Sequence, residues 1–525
     1  MMTRWQALLV LVVIGLWGSA PGWAGAPAAP PRGGTLTVAL SADPPALDIH
    51  STTAYLTEIT AWHAFEPLFT YDRNFKIIPM LAEGFTVGAG GREYTITLRS
   101  SVKFHNGQEM TARDVVASLQ RWMKLAVVAV PFFRDDVEAV EARGPRTVVI
   151  RLRQPSGVLI AALAQPIQLA GIYPHAVADA AGTRRITELS ELIGTGPFKF
   201  ARWVPGQVIE LERFDGYAMR PGSPDGYGGA KVAYVDRLRF VIVPDVQTRI
   251  NGVLTGQYDY AESITPDAYG QLRNDPRVRT LILKPYGQPM AVFNKRKGLF
   301  ADRRMRQAFL AALDMGKIMA GTFGNPLMFR VDGSLMFKES PWYSREGLGP
   351  YNRRDLALAR RLMAEAGYRG QPVRWITSQA FDWAYKPALI AAQQLEEAGF
   401  VMDLQVLDWA TVLSRRANPD LYEVFSTSFI FSPGIDPPIQ PVILGPTWPG
   451  WWTTEEKDRL IGRLIREPDQ QARKKIWEEV QKLYWEDVPG VKFGDFFNLA
   501  IARPGVGGLT TRPDLFFWNV SVTPR

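Results

Sequence analysis

Residues 102–115, VKFHNGQEMTARDV, contain the side-chain types that acid–base catalysis and metal binding use. His105, Glu109 and Asp114 could exchange protons or hold a cation, because imidazole and carboxylate groups serve in both kinds of chemistry. Polar residues of these types also turn the chain and begin helices. The elements around the run decide between the two interpretations.

The residues before this run predict a β-strand. Between Arg92 and Phe104, apolar side chains alternate with polar ones, so that Tyr94, Ile96 and Leu98 share one face. Asn106-Gly107 then predicts a tight turn, because both residue types tolerate a positive φ. His105 should therefore stand at the end of a strand.

The residues after the turn predict the start of a helix. Thr111 and Asp114 have the spacing of a short-armed capping box, in which each side chain satisfies a backbone N–H of the other. The apolar positions that follow have a helical period, with one buried face formed by Val115, Val116, Leu119, Trp122 and Met123. We therefore expect the polar run to serve architecture and not chemistry.

Catalytic and metal-binding motifs are missing from the sequence. The 525 residues contain 4 His and 0 Cys, without an HExxH, GxSxG or GK[ST] pattern. A catalytic or metal centre would need residues brought together from distant parts of the chain. We predict a protein that is not an enzyme and carries no metal or cofactor.

The first residues indicate export. Arg4 is followed by an apolar run from Ala7 to Trp17, and Gly22 and Ala24 fit a small-x-small cleavage site. The apolar run is shorter than the roughly 20 residues that a membrane-spanning helix needs. We expect residues 1–24 to be a cleaved signal peptide, residues 25–33 a Pro-rich leader, and the mature chain to be periplasmic, without a lipid-modified cysteine.

Charge and length narrow the class further. Lys and Arg number 60 against 52 Asp and Glu, and the basic residues occur in short runs such as Arg303–Arg306 that are typical of solvated helix faces. We therefore predict no nucleic-acid partner despite the net charge of +8. A chain of this length exceeds one compact core, so two or three domains are expected.

The order of patterns predicts an α/β protein. Residues 72–164 read as a small α+β unit, Gly194-Thr195-Gly196-Pro197 as a sharp break, and helices and strands alternate after Arg303. The first strand, Thr35–Leu40, is followed by ADPPALDIHSTTAY, which predicts an exposed loop.

Five blocks of sequence resemble one family, the extracytoplasmic solute-binding proteins, family 5, of ABC importers, which includes oligopeptide-, dipeptide- and nickel-binding proteins. The blocks are EPLFTYDRNFKIIPMLAEGF, YTITLRSSVKFHNGQEMTARDVVASL, GTGPFKFARWVPG, FADRRMRQAFLAALDMGKI and YNRRDLALARRLMAEAGY.

The resemblance implies an α/β periplasmic binding protein type II fold (cluster C), with two lobes, a two-strand hinge and an extra inserted α+β domain. Lobe I would comprise residues 34–75, 192–288 and 490–525, the inserted domain residues 76–191, and lobe II residues 289–489. We expect Gly194, Thr195 and Gly196 to belong to the hinge. The closed protein would dock on membrane permease subunits, and we expect a monomer.

By the same resemblance, the solute would lie between the loop after the first strand and the segment SFIFSPGIDPP of lobe II. The residues that we expect to contact it are Thr53, Tyr55, Gln288, Trp383, Phe429, Phe431 and Asp436.

One departure from the family concerns charge. Dipeptide binders hold the substrate amine with an aspartate and its carboxylate with an arginine, and these positions fall near Pro433 and Ser378 here. A buried zwitterion without partners is costly, so a plain dipeptide requires that Asp436 or Lys386 substitutes.

Several alternatives to a peptide solute stay open. The aromatic stretch with Trp448, Trp451 and Trp452 fits an apolar or aromatic solute or a packed surface loop, and an opine is a further candidate. A nickel chelate or haem would be contacted by His50 or His63. A secreted hydrolase that uses dispersed Asp and Glu residues is the alternative from the enzyme class.

Overall fold

The structure, a computed structural model, describes residues 30–127, 133, 136–439 and 448–524. The predicted signal peptide and most of the predicted leader lie outside these residues. No helix in the described part of the chain has the length and apolar character needed to cross a membrane.

The strands alternate with helices along most of the chain. The strands are β1 (Thr35–Leu40), β2 (Phe69–Tyr71), β3 (Ile77–Pro79), β4 (Ala82–Gly88), β5 (Glu93–Leu98), β6 (Val137–Ala142), β7 (Thr147–Leu152), β8 (Phe198–Val204), β9 (Val208–Arg213), β10 (Pro224–Asp225), β11 (Gly228–Gly229), β12 (Arg237–Ile242), β13 (Tyr260–Ile264), β14 (Arg279–Phe293), β15 (Phe329–Arg330), β16 (Pro372–Thr377), β17 (Val401–Val406), β18 (Val424–Ile430), β19 (Gly490–Lys492), β20 (Asp495–Ala502), β21 (Val506–Gly507) and β22 (Ser521–Val522).

The helices are α1 (Tyr55–Ala61), α2 (Ala112–Leu125), α3 (Leu159–Ala164), α4 (His175–Ala181), α5 (Val246–Leu254), α6 (Tyr269–Leu272), α7 (Arg303–Ala311), α8 (Met315–Phe323), α9 (Leu356–Glu365), α10 (Asp382–Ala398), α11 (Trp409–Arg415), α12 (Glu455–Arg466) and α13 (Gln470–Asp487).

A mixed sheet runs through both halves of the molecule. Its order is β17-β16-β18-β14-β20-β13-β1-β12-β9-β8, with β15 paired to β20 and β19 to β14. In each half a buried strand has parallel neighbours: β1 lies parallel to β12 and β13, and β16 lies parallel to β17 and β18. Parallel pairs require crossover connections, which the intervening helices supply. The α/β class predicted from the sequence is confirmed.

The chain passes from one half to the other through β14 and β20. The first part of β14 pairs with β20 over Arg279–Leu283, and its second part pairs with β18 over Gly287–Phe293. The pairing with β20 shifts register between Leu283 and Gly287. One long strand therefore belongs to two lobes, as a two-strand hinge requires.

This arrangement corrects the predicted hinge residues. Gly194 and Gly196 pack on the backbone of Ala64, and the N–H of Gly196 donates to the Ala64 carbonyl at 2.9 Å. The hydroxyl of Thr195 donates to Glu66, 3.2 Å away. These residues join the small domain to lobe I, whereas the strands that pass between the lobes are β14 and β20.

The predicted return to lobe I at residue 490 is also too early. Strand β19 pairs with β14 at Met290–Val292, which is the part of β14 that also pairs with β18. Residues Gly490–Lys492 therefore lie with lobe II, and the chain returns along β20. The other predicted domain bounds stay predictions.

The small α+β unit has a sheet of its own, in the order β4-β5-β7-β6. Tyr94, Ile96 and Leu98 are buried on one face of β5, as the alternation predicted. Helix α2 begins after Thr111 with the predicted capping box, in which the Asp114 carboxylate accepts from the backbone N–H and the hydroxyl of Thr111 at 2.8 Å each.

The polar run at residues 102–115 has structural tasks, as expected. Nδ1 of His105 accepts from the N–H of Gly194 at 3.2 Å, while Nε2 donates to the carbonyl of Gly196 at 3.1 Å. Glu109 accepts from the N–H of Ser101 at 3.1 Å. Burial lowers the pKa of His105 to about 4. The ring is therefore neutral at physiological pH and ties the small domain to the 194–196 segment.

We predict that Asp114 contributes more to stability than its cap partner. Its second oxygen accepts from the backbone N–H and the ring of His175, at 2.8 and 2.9 Å. Thr111→Ala should lower the free energy of unfolding by about 1 kcal/mol, and Asp114→Ala by more, in urea denaturation. Arg113→Ala, at an exposed position of the same helix turn, is the control. Equal losses for Thr111→Ala and Asp114→Ala would contradict the prediction.

Candidate functional site

A buried ion pair anchors the first part of the loop after β1. Asp48 accepts from both terminal nitrogens of Arg121 on α2, at 3.0 and 2.6 Å, and from the Tyr173 hydroxyl at 3.1 Å. Residues Ala46–His50 are therefore buried, which corrects the expectation of an exposed loop. The exposed part begins after His50, so the loop presents residues 51–55 from a fixed base.

Tyr55, a predicted solute contact, lies beside the strand crossing. Its ring is 6.0 Å from the ring of Tyr286 in β14, and its hydroxyl donates to the Pro513 carbonyl at 3.3 Å. The ring of Tyr286 in turn lies 5.6 Å from that of Phe496 in β20. Tyr55 therefore reaches the floor of the space between the lobes, where both crossing strands pass.

Gln288 lies in the crossing segment itself. It pairs with Phe429 of β18, and its amide nitrogen is 3.4 Å from Asp495. Asp495 is fully buried between Lys492 at 2.7 Å and Arg330 at 2.6 Å. This network fixes Gln288 in the hinge of the two lobes.

Phe429 and Phe431, two predicted solute contacts, pack against other aromatic rings of lobe II. The ring of Phe429 lies 5.5 Å from that of Trp448, and the ring of Phe431 lies 4.5 Å from that of Phe337. Phe429 and Phe431 are only 8% and 6% exposed, so most of each ring packs within lobe II.

Thr53 and Trp383 lie apart from these groups. Thr53 is exposed on the loop. Trp383, at the start of α10, stacks on Phe381 at 4.7 Å and meets the edge of Trp409 at 5.5 Å. Trp383 therefore belongs to a partly exposed aromatic cluster of lobe II with Phe381 and Trp409.

The role predicted for Asp436 requires correction. Both of its oxygens accept from Arg473 of α13 at 2.7 Å, and both side chains are 2% exposed. Burial raises the pKa of Asp436 while the Arg473 guanidinium opposes this rise. A carboxylate held on both oxygens by a buried guanidinium is a structural group. It is therefore not free to bind a solute amine.

The other predicted substitute charge is engaged as well. The Lys386 ammonium donates to Asp382 one helix turn earlier, at 2.8 Å. Neither Asp436 nor Lys386 therefore replaces the charges missing near Pro433 and Ser378. Lobe II offers an apolar wall in this segment and no free charge from these positions.

The lobes touch at two glycines. The N–H of Gly157 in the small domain donates to the Ile465 carbonyl of lobe II at 2.7 Å. Across the gap, a Cβ on Gly434 would lie 2.8 Å from the ring of Tyr71, so this ring packs against the Gly434 backbone. Lobe II therefore contacts the small domain and lobe I at two points where a glycine permits a close approach.

The two histidines considered for nickel or haem are fully buried in lobe I. Nε2 of His50 lies 2.8 Å from the Gly171 carbonyl, and Nε2 of His63 accepts from the N–H of Phe517 at 2.9 Å. Burial lowers their pKa values to about 4 and about 3. The described residues contain no group of three or more His, Asp or Glu side chains placed to hold a metal ion.

Sequence reasoning missed two acidic residues near Tyr55. Glu58 lies one turn further along α1, and Asp514 follows Pro513, whose carbonyl Tyr55 contacts. Burial raises the pKa of Asp514 to about 7. Burial and the nearby Asp514 carboxylate raise the pKa of Glu58 well above its usual value. The sequence feature that could have indicated Glu58 is its position on an otherwise apolar face of α1.

These features define a class: a two-lobed α/β protein whose lobes are joined by two crossing strands and which carries an additional small α+β domain. Residues 76–445 match the family model described as bacterial extracellular solute-binding proteins, family 5 Middle. The chain belongs to this family.

Individual relatives cover nearly the whole chain. A probable peptide ABC transporter periplasmic-binding protein, y4tO, of Sinorhizobium fredii is 28% identical and covers 90% of both chains. The glutathione-binding protein GsiB of Salmonella typhi is 25% identical, covering 87% of this chain and 88% of its own. The crystal structure of the ABC transporter substrate-binding protein CtaP of Listeria monocytogenes superposes with a TM-score of 0.81 at 20% identity, covering 94% and 100%. The last comparison supports the type II periplasmic binding protein fold.

We predict that Gly157→Ala hinders closure. A Cβ at this position would overlap the Glu467 carbonyl and lie 2.8 Å from Nε of Arg473, whereas a Cβ at Gly84 meets no atom within 4 Å. Small-angle scattering should therefore give a larger radius of gyration for Gly157→Ala than for the wild type, and an unchanged radius for the control Gly84→Ala. Identical scattering of all three proteins would contradict the closing contact.

We predict a pH-dependent gain of stability for Asp514→Asn. A carboxyl whose pKa rises on folding, here from 3.8 to about 7, keeps its proton in the folded state after the unfolded chain has lost it. The free energy of unfolding then falls as the pH rises across this interval, and the fall is absent in the variant. Asn retains an oxygen that accepts from Tyr227, the hydroxyl partner of Asp514.

The difference between Asp514→Asn and the wild type should therefore be small at about pH 4 and favour the variant at about pH 8 in urea unfolding. Because the Asp514 charge also contributes to the raised pKa of Glu58, the difference between the two proteins reports on this pair of carboxyls. Asp267→Asn, at an exposed position, is the control. A pH-independent difference would contradict the raised pKa.

Proposed function

We propose that this chain is the periplasmic substrate-binding component of an ABC importer and that it captures a peptide or a related small organic solute between its lobes. The observation that supports this most directly is the two-lobed arrangement, in which Tyr55 of lobe I contacts Tyr286 of β14 and Phe429 of lobe II pairs with Gln288 of the same strand. The names of the relatives y4tO and GsiB support a peptide.

The mechanism follows from closure. A solute that contacts both lobes stabilises the closed form by its differential affinity for that form, and membrane permease subunits then recognise the closed shape. Such a protein binds and releases its solute unchanged. The catalytic alternative lacks support, because Asp436, the acid expected at the cleft, is held by Arg473.

The aromatic wall supports a solute with at least one apolar group. Phe429 and Phe431 pack on Trp448 and Phe337, which makes this segment aromatic without a charge from the positions near Pro433 and Ser378. Burying apolar surface contributes about 25 cal/mol per Å². An opine or an aromatic solute would contact the same segment. Titration with peptides, opines and aromatic amino acids distinguishes these solutes.

Export is part of the proposal. We infer that residues 1–24 are removed and that the mature protein acts as a monomer in the periplasm, without a nucleic-acid partner. Intact mass of the protein recovered from the periplasm should correspond to a chain that begins at Gly25.

Solute capture is tested on protein that has been unfolded in guanidinium chloride, dialysed and refolded, which removes any retained solute. Trialanine and glutathione are titrated while tryptophan fluorescence is recorded, and small-angle scattering is measured with and without each peptide. We expect saturable binding with a free energy of about −8 kcal/mol and a smaller radius of gyration in the bound state.

The variants Gly157→Ala and Gly84→Ala provide the matched comparison. Gly157→Ala should weaken binding because closure is hindered, and Gly84→Ala should bind as the wild type does. A flat response to both peptides, and to opines and aromatic amino acids added in the same assay, would contradict the proposed function.

A further inference from the structure

Lobe II contains a cavity of about 250 Å³ that lies away from the strand crossing. Its walls come from the segment after β14, the start of α7, the turn before α12 and the end of α13. From Gly287 to Phe293, strand β14 advances by about 20 Å, at roughly 3.3 Å per residue. Lys295, which lines the cavity, follows the end of this strand. The cavity is therefore separate from the space between the lobes.

Basic residues predominate in the wall of this cavity. Lys295, Arg296 and Arg306 line it, and Asp487 is the one acidic residue among the described residues that do so. The Asp487 carboxylate already accepts from Nε1 of Trp452 at 3.1 Å and lies 3.7 Å from the guanidinium of an exposed arginine on α7. The wall therefore has three cations and one carboxylate, and that carboxylate is engaged.

Arg306 and Lys295 use only part of their donors for the fold. Nε of Arg306 donates to the Asp487 carbonyl at 2.9 Å, and Nη1 donates to the Phe300 carbonyl at 2.7 Å. The Lys295 ammonium donates to the Pro489 carbonyl at 2.9 Å and to a second carbonyl of its own segment at 3.1 Å. These bonds hold the end of α13 against the start of α7. They leave Nη2 of Arg306 and one ammonium hydrogen of Lys295 without an acceptor among the described residues.

The same two cations are set into the protein. Arg306 is 6% exposed, and burial lowers the pKa of its guanidinium to about 10, so it stays charged at neutral pH. Burial and the nearby Arg306 charge lower the pKa of Lys295 well below its usual value. Like charges that are buried together disfavour one another unless an opposite charge lies close by. An anion in the cavity would supply that charge.

The size and the remaining charges favour a small anion. Arg296 is the exposed member of the wall, and its guanidinium lies 4.5 Å from the centroid of the Trp451 ring. Beside the cavity, Lys457 and Asp458 pair with each other at 2.7 Å and add no net charge. The volume is below the roughly 300 Å³ at which sites for drug-sized organic ligands begin. The cavity therefore suits an inorganic anion better than a peptide.

We propose that Lys295, Arg296 and Arg306 form an anion site of lobe II that takes a tetrahedral oxyanion of the phosphate or sulfate type. Guanidinium and ammonium groups make strong, charge-assisted hydrogen bonds to such oxyanions. The bound anion joins the segment after β14 to the start of α7. This inference goes beyond the proposed function and does not depend on solute capture between the lobes.

The test uses inorganic phosphate and protein refolded from guanidinium chloride, with sodium chloride added to keep the ionic strength constant. Isothermal titration calorimetry should show saturable binding by the wild type. Lys295→Gln retains an N–H donor and should bind phosphate at least about tenfold more weakly, the effect of one lost charge-assisted hydrogen bond. Lys317→Gln, at an exposed position of α8 in the same lobe, is the control and should bind as the wild type does.

Arg296→Gln is a second variant, chosen because this exposed side chain can change while Lys295 and Arg306 keep their carbonyl contacts. It should also weaken phosphate binding, and circular dichroism verifies the fold of each variant. Equal binding by the wild type and both variants would mean an adventitious ion only and overturns the inference. Absence of saturable binding by the wild type at millimolar phosphate overturns it as well.

Glycerol 3-phosphate distinguishes the two sources of the anion. Affinity equal to that of inorganic phosphate, with the same loss in Lys295→Gln, assigns the site to a phosphate group carried by a larger molecule. Preference for inorganic phosphate assigns it to the free ion. Failure of peptides to bind would contradict the proposed function and leave this result unchanged, because the cavity lies outside the space between the lobes.

Discussion

The pairing of β14 with two different partners is the constraint on which the rest of the structure depends. Its first part completes the sheet around β1 and its second part completes the sheet around β18, so the same strand belongs to both lobes. A change of direction near Gly287 therefore moves one lobe relative to the other, as hinge motions do. Gln288 of this strand pairs with Phe429 of β18, and Tyr286 of the same strand contacts Tyr55 at the start of α1.

The buried acidic residues of the two lobes fall into two groups. Asp48, Asp436 and Asp495 are buried, and each meets an arginine or lysine at hydrogen-bond distance. Removing one partner of such a pair costs about 3–5 kcal/mol, which makes these groups part of the architecture. Glu58 and Asp514 are as deeply buried but meet no such cation among the described residues. Burial raises the pKa of both of these carboxyls, so they differ from the three acids that are paired with a cation.

The sequence predicted what depends on neighbours along the chain. The strand at Tyr94–Leu98, the cap at Thr111–Asp114 and the α/β class follow from periodicity and capping chemistry, and the structure confirms them. Pairings between distant residues leave no periodic signal. Arg473 lies far along the chain from Asp436, so its capture of that acid could not be foreseen. The glycines at 194 and 196 show only that the chain turns sharply there. The sequence does not show which two domains such a turn connects.

Closure and recognition depend on the same geometry. The lobes meet at Gly157 and Gly434, where backbone and ring contacts replace side-chain interdigitation. Contacts of this size favour the closed form only modestly, and a solute shifts the balance by the difference in its affinity for the two forms. A molecule that contacts both lobes gains both sets of interactions only when the lobes are together. A site shared between the two lobes therefore couples solute binding to closure more strongly than a site confined to either lobe.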